Sequence, residues 1–291
     1  PILIGRPEVI DMRLEKLGLR MRPDQDFELV NPHQDNRYKA YWTEYHKLMA
    51  RKGGTPAVAR HIVRTDTTVI GAIMVRRGEA DGMICGVEGR FQQHVETIRD
   101  LIGLRSGVGD LYAMNSLLTA SGMLFICDTN VVYEPNAEQL AEMTILAAEE
   151  VARFGVEPKV ALLSHSNFGE SGAQSAVKMR TARAILQERA PDLDVEGEMQ
   201  GDTALSEIIR GKILPDSTFK GEANLLVMPT LDSAHISFNL LKAVTKTVSI
   251  GPILLGAASS AHIVGSSAST RRILNMSALC VAGAQTRQQQ T

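Results

Sequence analysis

Apolar runs of strand length alternate with amphipathic helical segments from one end of the chain to the other, which restricts the fold to a largely parallel sheet wrapped in helices. The class is α/β. With 291 residues there is material for two cores, since domains settle at roughly 100 to 150 residues each. Helices are expected over residues 8–17, stopped at Gly18, and 37–51, stopped at Gly53-Gly54. Two shorter helices follow across 57–77, and residues 80–85 and 121–127 read as buried strands. Asn136 and Gln139 form a capping box for a helix whose apolar Leu140, Met143, Ala147 and Val151 recur at helical spacing before Gly155 stops it. The alternation then restarts: a strand at 160–163, a helix near 171–188, strands near Val195 and at 225–228, and helices over 233–244 and 269–285. The polar residues 286–291 are expected to fray. The expected division is a first α/β domain of residues 1–144 plus 269–291, made discontinuous by the apolar last helix, and a second of residues 145–268.

Composition excludes several classes. Hydrophobic content of 44% and charged content of 22% are those of an ordinary globular protein. A formal charge of -2 leaves no basic footprint for nucleic acid. Cys85, Cys127 and Cys280 are odd in number, far apart and set in apolar segments, which suits reduced core thiols in a cytoplasmic protein. The seven histidines never fall at a metal-ligand spacing, so no metal site is expected. No apolar run reaches about 18 residues, which argues against a membrane span. The start at Pro1, running straight into Ile2-Leu3-Ile4, is expected to be the interior of a longer polypeptide.

Three segments invite a ligand. Gly251-Pro-Ile-Leu-Leu-Gly256, the serine-rich stretch up to Thr270 and the pair Arg271-Arg272 read as an anion-holding loop that feeds a helix capped by Ser269. Arginine in a first helical turn opposes the helix dipole, so a nearby anion would account for the pair; a solvated serine linker is the plainer reading. Residues 160–172 run from a strand through Ser164-His-Ser-Asn167 and Ser171 into a helix, where backbone N–H groups and hydroxyls could hold a phosphate. The plain alternative is a strand-to-helix turn with capping serines. The loop is neither a Walker loop nor a GxGxxG fingerprint. Glu196-Gly-Glu-Met-Gln-Gly-Asp202 is expected to be a solvated turn with Asp202 as N-cap rather than an acid–base site. Thr230 and Asp232 can each cap the helix carrying His235, and both His235 and His165 are expected to pack or cap. Spacing signals no nucleophile–base arrangement.

Taken in order, Pro1-Ile-Leu-Ile-Gly-Arg-Pro-Glu-Val-Ile10, Asp128 with Pro135-Asn-Ala-Glu-Gln-Leu-Ala-Glu142, residues 162–178, Glu196-Gly-Glu-Met-Gln200, Gly221-Glu-Ala-Asn224 and Gly251-Pro-Ile-Leu254 closely resemble the phosphate acetyltransferase family over nearly the whole chain. The resemblance implies two α/β domains with a cleft where acetyl phosphate and coenzyme A meet. It also implies lost chemistry. Active members carry Asp-Leu-Ser-Arg-Gly after the Gly-Pro-Ile-Leu segment and an acidic pair before the last helix. Here the Ser-Arg-Gly positions fall on Gly265, Ser266 and Ser267, the acidic pair on Arg271 and Arg272, and the family's lysine on Ser259. Losing a preorganised charge donor costs about 10²- to 10³-fold, and losing a general base roughly 10²- to 10⁴-fold more. No catalytic residue is therefore expected in this chain.

Those departures resemble a subgroup, the C-terminal region of large bacterial NADP-dependent malic enzymes. Cys85-Gly-Val-Glu-Gly-Arg-Phe91, Leu163-Ser-His-Ser-Asn-Phe-Gly169, Leu254-Leu-Gly-Ala-Ala258, His262-Ile-Val264 and Arg271-Arg-Ile-Leu-Asn-Met276 carry the likeness. It implies a regulator that senses acetyl-CoA and inhibits the attached enzyme, which decarboxylates malate oxidatively to pyruvate with NADP and Mg or Mn. No cofactor is expected in this chain itself. Expected ligand contacts are Arg271 and Arg272, with Ser121, Ser164, Ser166, Asn167, Ser171, Ser266 and Ser267. Binding would bias domain closure, and a homodimer within a higher oligomer would pass on a coupling of roughly 1 to 3 kcal/mol. The competing expectations are a working phosphate acetyltransferase and a purely structural oligomerisation module.

Overall fold

The computed structural model describes residues 1–288. In chain order come strand β1 (Ile2–Ile4), helix α1 (Pro7–Lys16), β2 (Glu28–Val30), α2 (Tyr38–Met49), a 3-10 turn (Ala50–Lys52), α3 (Pro56–Thr65), α4 (Thr67–Arg76), β3 (Gly82–Gly86) and α5 (Phe91–Leu101). Then follow β4 (Tyr112–Thr119), β5 (Gly122–Cys127), α6 (Ala137–Arg153), β6 (Lys159–Leu163), α7 (Gln174–Arg189), β7 (Asp194–Met199), α8 (Gly201–Ala204), α9 (Glu207–Ile213) and β8 (Leu225–Val227). The chain continues through α10 (Leu231–Thr245), β9 (Ser249–Leu255), β10 (Ser260–Val264) and α11 (Thr270–Gln288). Residues 286–288, expected to fray, are helical; residues 289–291 lie outside the described residues.

One compact unit comprises Pro1–Gly103, Ala257–Ser267 and the chain from Ser277, and the other Leu104–Gly256 and Ala268–Met276. This differs from the expected division at 144/145 and 268/269. Residue 144 lies inside α6, and β4 and β5 before it are bonded into the sheet of the second unit. The reading of the sequence had no β4, and without it β5 looked like a strand of the first domain.

In the first unit β1 pairs in parallel with β2, and β10 in parallel with β3, from Ser260 opposite Gly82 to Val264 opposite Gly86. The stretch expected to be a serine-rich ligand loop is thus interrupted by a strand, β10, which is buried along its whole length. Its small residues serve close packing. A Cβ on Gly82 would stand 2.7 Å from both the Cys280 sulfur and the Ser260 carbonyl oxygen, so α11 can lie against this strand pair only without one. His262 is buried here, and burial, aided by the charge of Arg287, pulls its pKa down to about 4.

In the second unit the sheet order is β7-β6-β8-β5-β4-β9. The first four strands are parallel. Strand β4 runs against both β5 and β9, so β9 points the same way as β5. Gly251, expected in a loop, lies inside β9, where a Cβ would meet the Asn115 side-chain oxygen at 2.5 Å. One face of the sheet gathers Leu117, Ile126, Ala161, Leu163, Met199 and Leu226 with Ala234 and Phe238 of α10. Alternate residues point to the other face, where Phe125 meets Phe154 edge-on at 5.4 Å beyond the buried row of α6. Each such large side chain contributes roughly 1.5 to 3 kcal/mol on burial.

Candidate functional site

Four parallel strands bring their carboxyl ends to one edge of the second unit's sheet, the place where open α/β sheets bind ligands. The residues 164–173 follow β6, Gln200 follows β7, Pro229-Thr230 follow β8 and Asp128-Thr129-Asn130 follow β5. The edge is knitted together. Asn167 Oδ1 accepts from the Gln200 backbone N–H at 2.9 Å, and the Gln200 side-chain amide donates to the His165 carbonyl at 2.9 Å. Lys178 donates to the Pro229 carbonyl at 2.7 Å, and His235 Nδ1 donates to the Thr129 carbonyl at 3.0 Å. Thr230 caps α10 through the Ser233 N–H at 3.2 Å.

Beneath the 164–173 loop lies Glu198, whose side chain is 0% exposed. Its Oε1 accepts from the Ser166 hydroxyl at 2.8 Å, the Gly169 N–H at 3.0 Å and Arg180 at 2.7 Å. Two residues back in β7, Glu196 is paired with Arg183 at 2.9 Å. The expectation of a solvated turn over 196–202 is therefore wrong: both glutamates are buried in a strand, Gln200 is the N-cap of α8, and Asp202 lies inside it. Ion pairing with α7 makes this burial tolerable.

The same network decides which expected contacts are free. Ser166 is 1% exposed, and its hydroxyl donates to Glu198 while accepting from the Ser171 N–H at 3.0 Å. It is a brace of the loop rather than a ligand contact. Asn167 likewise commits its side-chain oxygen to Gln200. Ser171 meets His165 Nε2 at 3.1 Å; it and Ser164 are half-buried, and His165 is exposed. Asp128, at the end of β5, accepts from the N–H groups of Asn130, Val131 and Val132. Burial nevertheless outweighs those bonds and pushes its pKa up to about 6.

The remaining expected residues lie elsewhere. Ser121 is in the two-residue turn between β4 and β5, at the opposite edge of the sheet, bonded to Thr119 at 3.1 Å. Six residues of β5 separate the two edges by roughly 20 Å. Arg272 is at the Ser121 edge too, donating to Ser249 at 3.0 Å. Burial lowers its pKa, and burial together with the Arg272 charge lowers that of Lys242. Among the described residues no carboxylate is paired with either cation. Arg271 is exposed, and Ser269 caps the helix through the Arg272 N–H at 3.3 Å, as expected. Ser266 and Ser267 belong to the first unit, exposed on the chain leaving β10. Val264 there bonds the Val87 N–H at 2.8 Å. From the sequence alone Glu198 is expected in a solvated turn rather than under the loop, and Arg180, Ser249 and Lys242 are not singled out. The i, i+2 spacing of the glutamates against the i, i+3 spacing of Arg180 and Arg183 is the signal that could have found the first two.

The family model described as phosphate acetyl/butaryl transferase matches residues 1–281. A Rhizobium meliloti (strain 1021) protein named NAD-dependent malic enzyme is 53% identical over 281 residues, covering 97% of this chain and 36% of that one. An Escherichia coli (strain K12) protein named NADP-dependent malic enzyme is 53% identical over 287 residues, covering 98% and 38%. The chain thus spans little more than a third of these curated relatives, matching their C-terminal part. A phosphotransacetylase from Streptococcus pyogenes superposes with a TM-score of 0.89 at 28% identity, over 98% of this chain and 86% of that one.

Proposed function

Because the chain belongs to the phosphate acetyl/butaryl transferase family, we propose that it is a catalytically silent form of that fold, the region of a malic enzyme that binds acetyl-CoA and thereby inhibits malate oxidation. The preceding polypeptide would carry out the oxidative decarboxylation to pyruvate, with NADP as the expected coenzyme and Mg or Mn as the metal. Relatives named for NAD and for NADP match equally well, so the choice of coenzyme rests on that other part.

The observation that carries this reading is the cationic first turn of α11. Arg271 and Arg272 occupy the positions that the family likeness reserves for an acidic pair, and an arginine cannot take a thiol proton at neutral pH. Arg272 is instead held on Ser249, and its charge adds to burial in lowering the Lys242 pKa, a repulsion that an anion would relieve. The phosphates of acetyl-CoA supply such a charge. Affinity and turnover are separable, so a fold can keep the first after losing the second. In a cytoplasmic homodimer, a 5- to 150-fold preference of the ligand for one state corresponds to roughly 1 to 3 kcal/mol of coupling.

Calorimetric titration with acetyl-CoA, using acetyl phosphate and free coenzyme A as comparators, tests the reading. Micromolar binding without acetyl transfer is expected, weakened when Arg271 and Arg272 are both replaced by Ala. Formation of acetyl phosphate at rates typical of an enzyme would overturn it.

A further inference from the structure

The first 26 residues include ten apolar side chains, and none of them is buried. Ile10 and Leu14 on the inner side of α1 are half-covered, while Val9 and Met12 on its other side are exposed. After α1 ends, Leu17, Leu19 and Met21 alternate with Gly18, Arg20 and Arg22, and residues 19–22 belong to no helix or strand. All three are exposed, Leu17 to 69%. A concentration of apolar surface on this scale marks a contact site. Its rim is charged in both signs: Arg13, Lys16, Arg20 and Arg22 stand among Glu8, Asp11, Glu15, Asp24 and Asp26.

The curated relatives indicate what covers it. This region is the C-terminal part of proteins of which it makes up 36 to 38%, so their remaining polypeptide precedes it and leads into β1 and α1. We infer that the face formed by Val9, Met12, Leu17, Leu19 and Met21 is the seat of that preceding polypeptide, which covers it with an apolar surface. The inference rests on reading the chain as the C-terminal region of a malic enzyme.

Met12 and Met21 report on the seat directly, because peroxide oxidises exposed methionine sulfur to the sulfoxide. Their oxidation rates are to be compared by peptide mass spectrometry in chain 1–291 and in the full-length polypeptide, with malate oxidation measured on the same full-length sample. Oxidation at least tenfold slower in the full-length polypeptide is expected, with L17D/L19D restoring the rate seen in chain 1–291. Equal rates in the two would overturn the inference. Slow oxidation already in chain 1–291, easing on dilution, would assign the face to a second copy and overturn it as well. Absence of malate oxidation would remove the functional reading while leaving the methionine comparison to judge the seat.

Discussion

The Glu198 carboxylate and the Arg180 guanidinium meet at 2.7 Å beneath the 164–173 loop, and the same carboxylate oxygen also holds Ser166 and Gly169. The other oxygen, Oε2, is buried with no hydrogen-bond partner among the described residues. The loop is therefore shaped from below by one charge pair, and its outward serines are placed by it.

Replacing Glu198 by Ala should cost about 3 kcal/mol, because it leaves two loop donors without their acceptor and Arg180 with only the Ser171 carbonyl. Glu198→Gln keeps an acceptor for Ser166 and places its amide nitrogen where Oε2 lacked a partner, so it should cost less than half as much. Urea unfolding of both variants measures this. An Ala variant within about 0.5 kcal/mol of the parent would show that the loop does not depend on the pair.

Burial, and after it the Arg272 charge, lowers the Lys242 pKa, an unfavourable arrangement that an anion would relieve. Arg272→Ala should leave the thermal midpoint of the unliganded chain unchanged or raise it, while cutting acetyl-CoA affinity at least about tenfold, or 1.4 kcal/mol. Thermal shift with and without ligand separates the two effects. A lower midpoint with intact ligand affinity would make the arginine a purely structural residue.

His262 and Asp128 give the two units opposite responses to acid. With His262 at about 4 against an ordinary 6.5, the unfolded chain binds a proton that the folded first unit refuses, so stability falls as pH drops from 6.5 toward 4. With Asp128 at about 6 against 3.8, the folded second unit binds the proton first, so its stability rises as pH drops from 6 toward 4. Each effect approaches about 3 kcal/mol at full extent. Hydrogen exchange at pH 7 and 5 should show the first unit loosening relative to the second, a difference that His262→Leu should reduce. Equal changes in both units would contradict it.

Arg210 is 1% exposed and donates to the carbonyls of Thr203, Phe219 and Gly221 at 3.1, 3.0 and 2.6 Å. Its guanidinium also lies 4.8 Å from the centre of the Phe219 ring. Arg210→Leu leaves three carbonyls without that donor, and should destabilise the chain by about 3 kcal/mol in denaturant unfolding. A cost below about 1 kcal/mol would mean that water takes over those carbonyls.

Periodicity and punctuation made most of the helices legible, α6 opening on its Asn136–Gln139 box and α10 on Thr230, but gave no sign of α5, α8 or α9. What sequence alone hid was long-range pairing. Strand β9 reads as a loop because its partner β4 is distant in sequence, and β10 because it lies within a serine-rich stretch; β4, although joined to β5 by a two-residue turn, is not signalled at all. The serine loop after β6 was visible as a strand-to-helix junction, but not that Ser166 would be spent on a glutamate 32 residues further on. Ser121 and Arg272 could not be told apart from the loop serines, because which edge of a sheet a turn occupies depends on strand direction.

The pairing of β3 with β10 joins residues 82–86 to residues 260–264. A chain emerging from the ribosome has completed residues 104–256, the continuous bulk of the second unit, before β10 exists. The first unit is begun earlier but must hold β3 unpaired until then, with an apolar strand edge open to wrong partners. Synthesis therefore leaves β3, made early, as one of the last strands to be protected, and chains ending before residue 260 should aggregate through it.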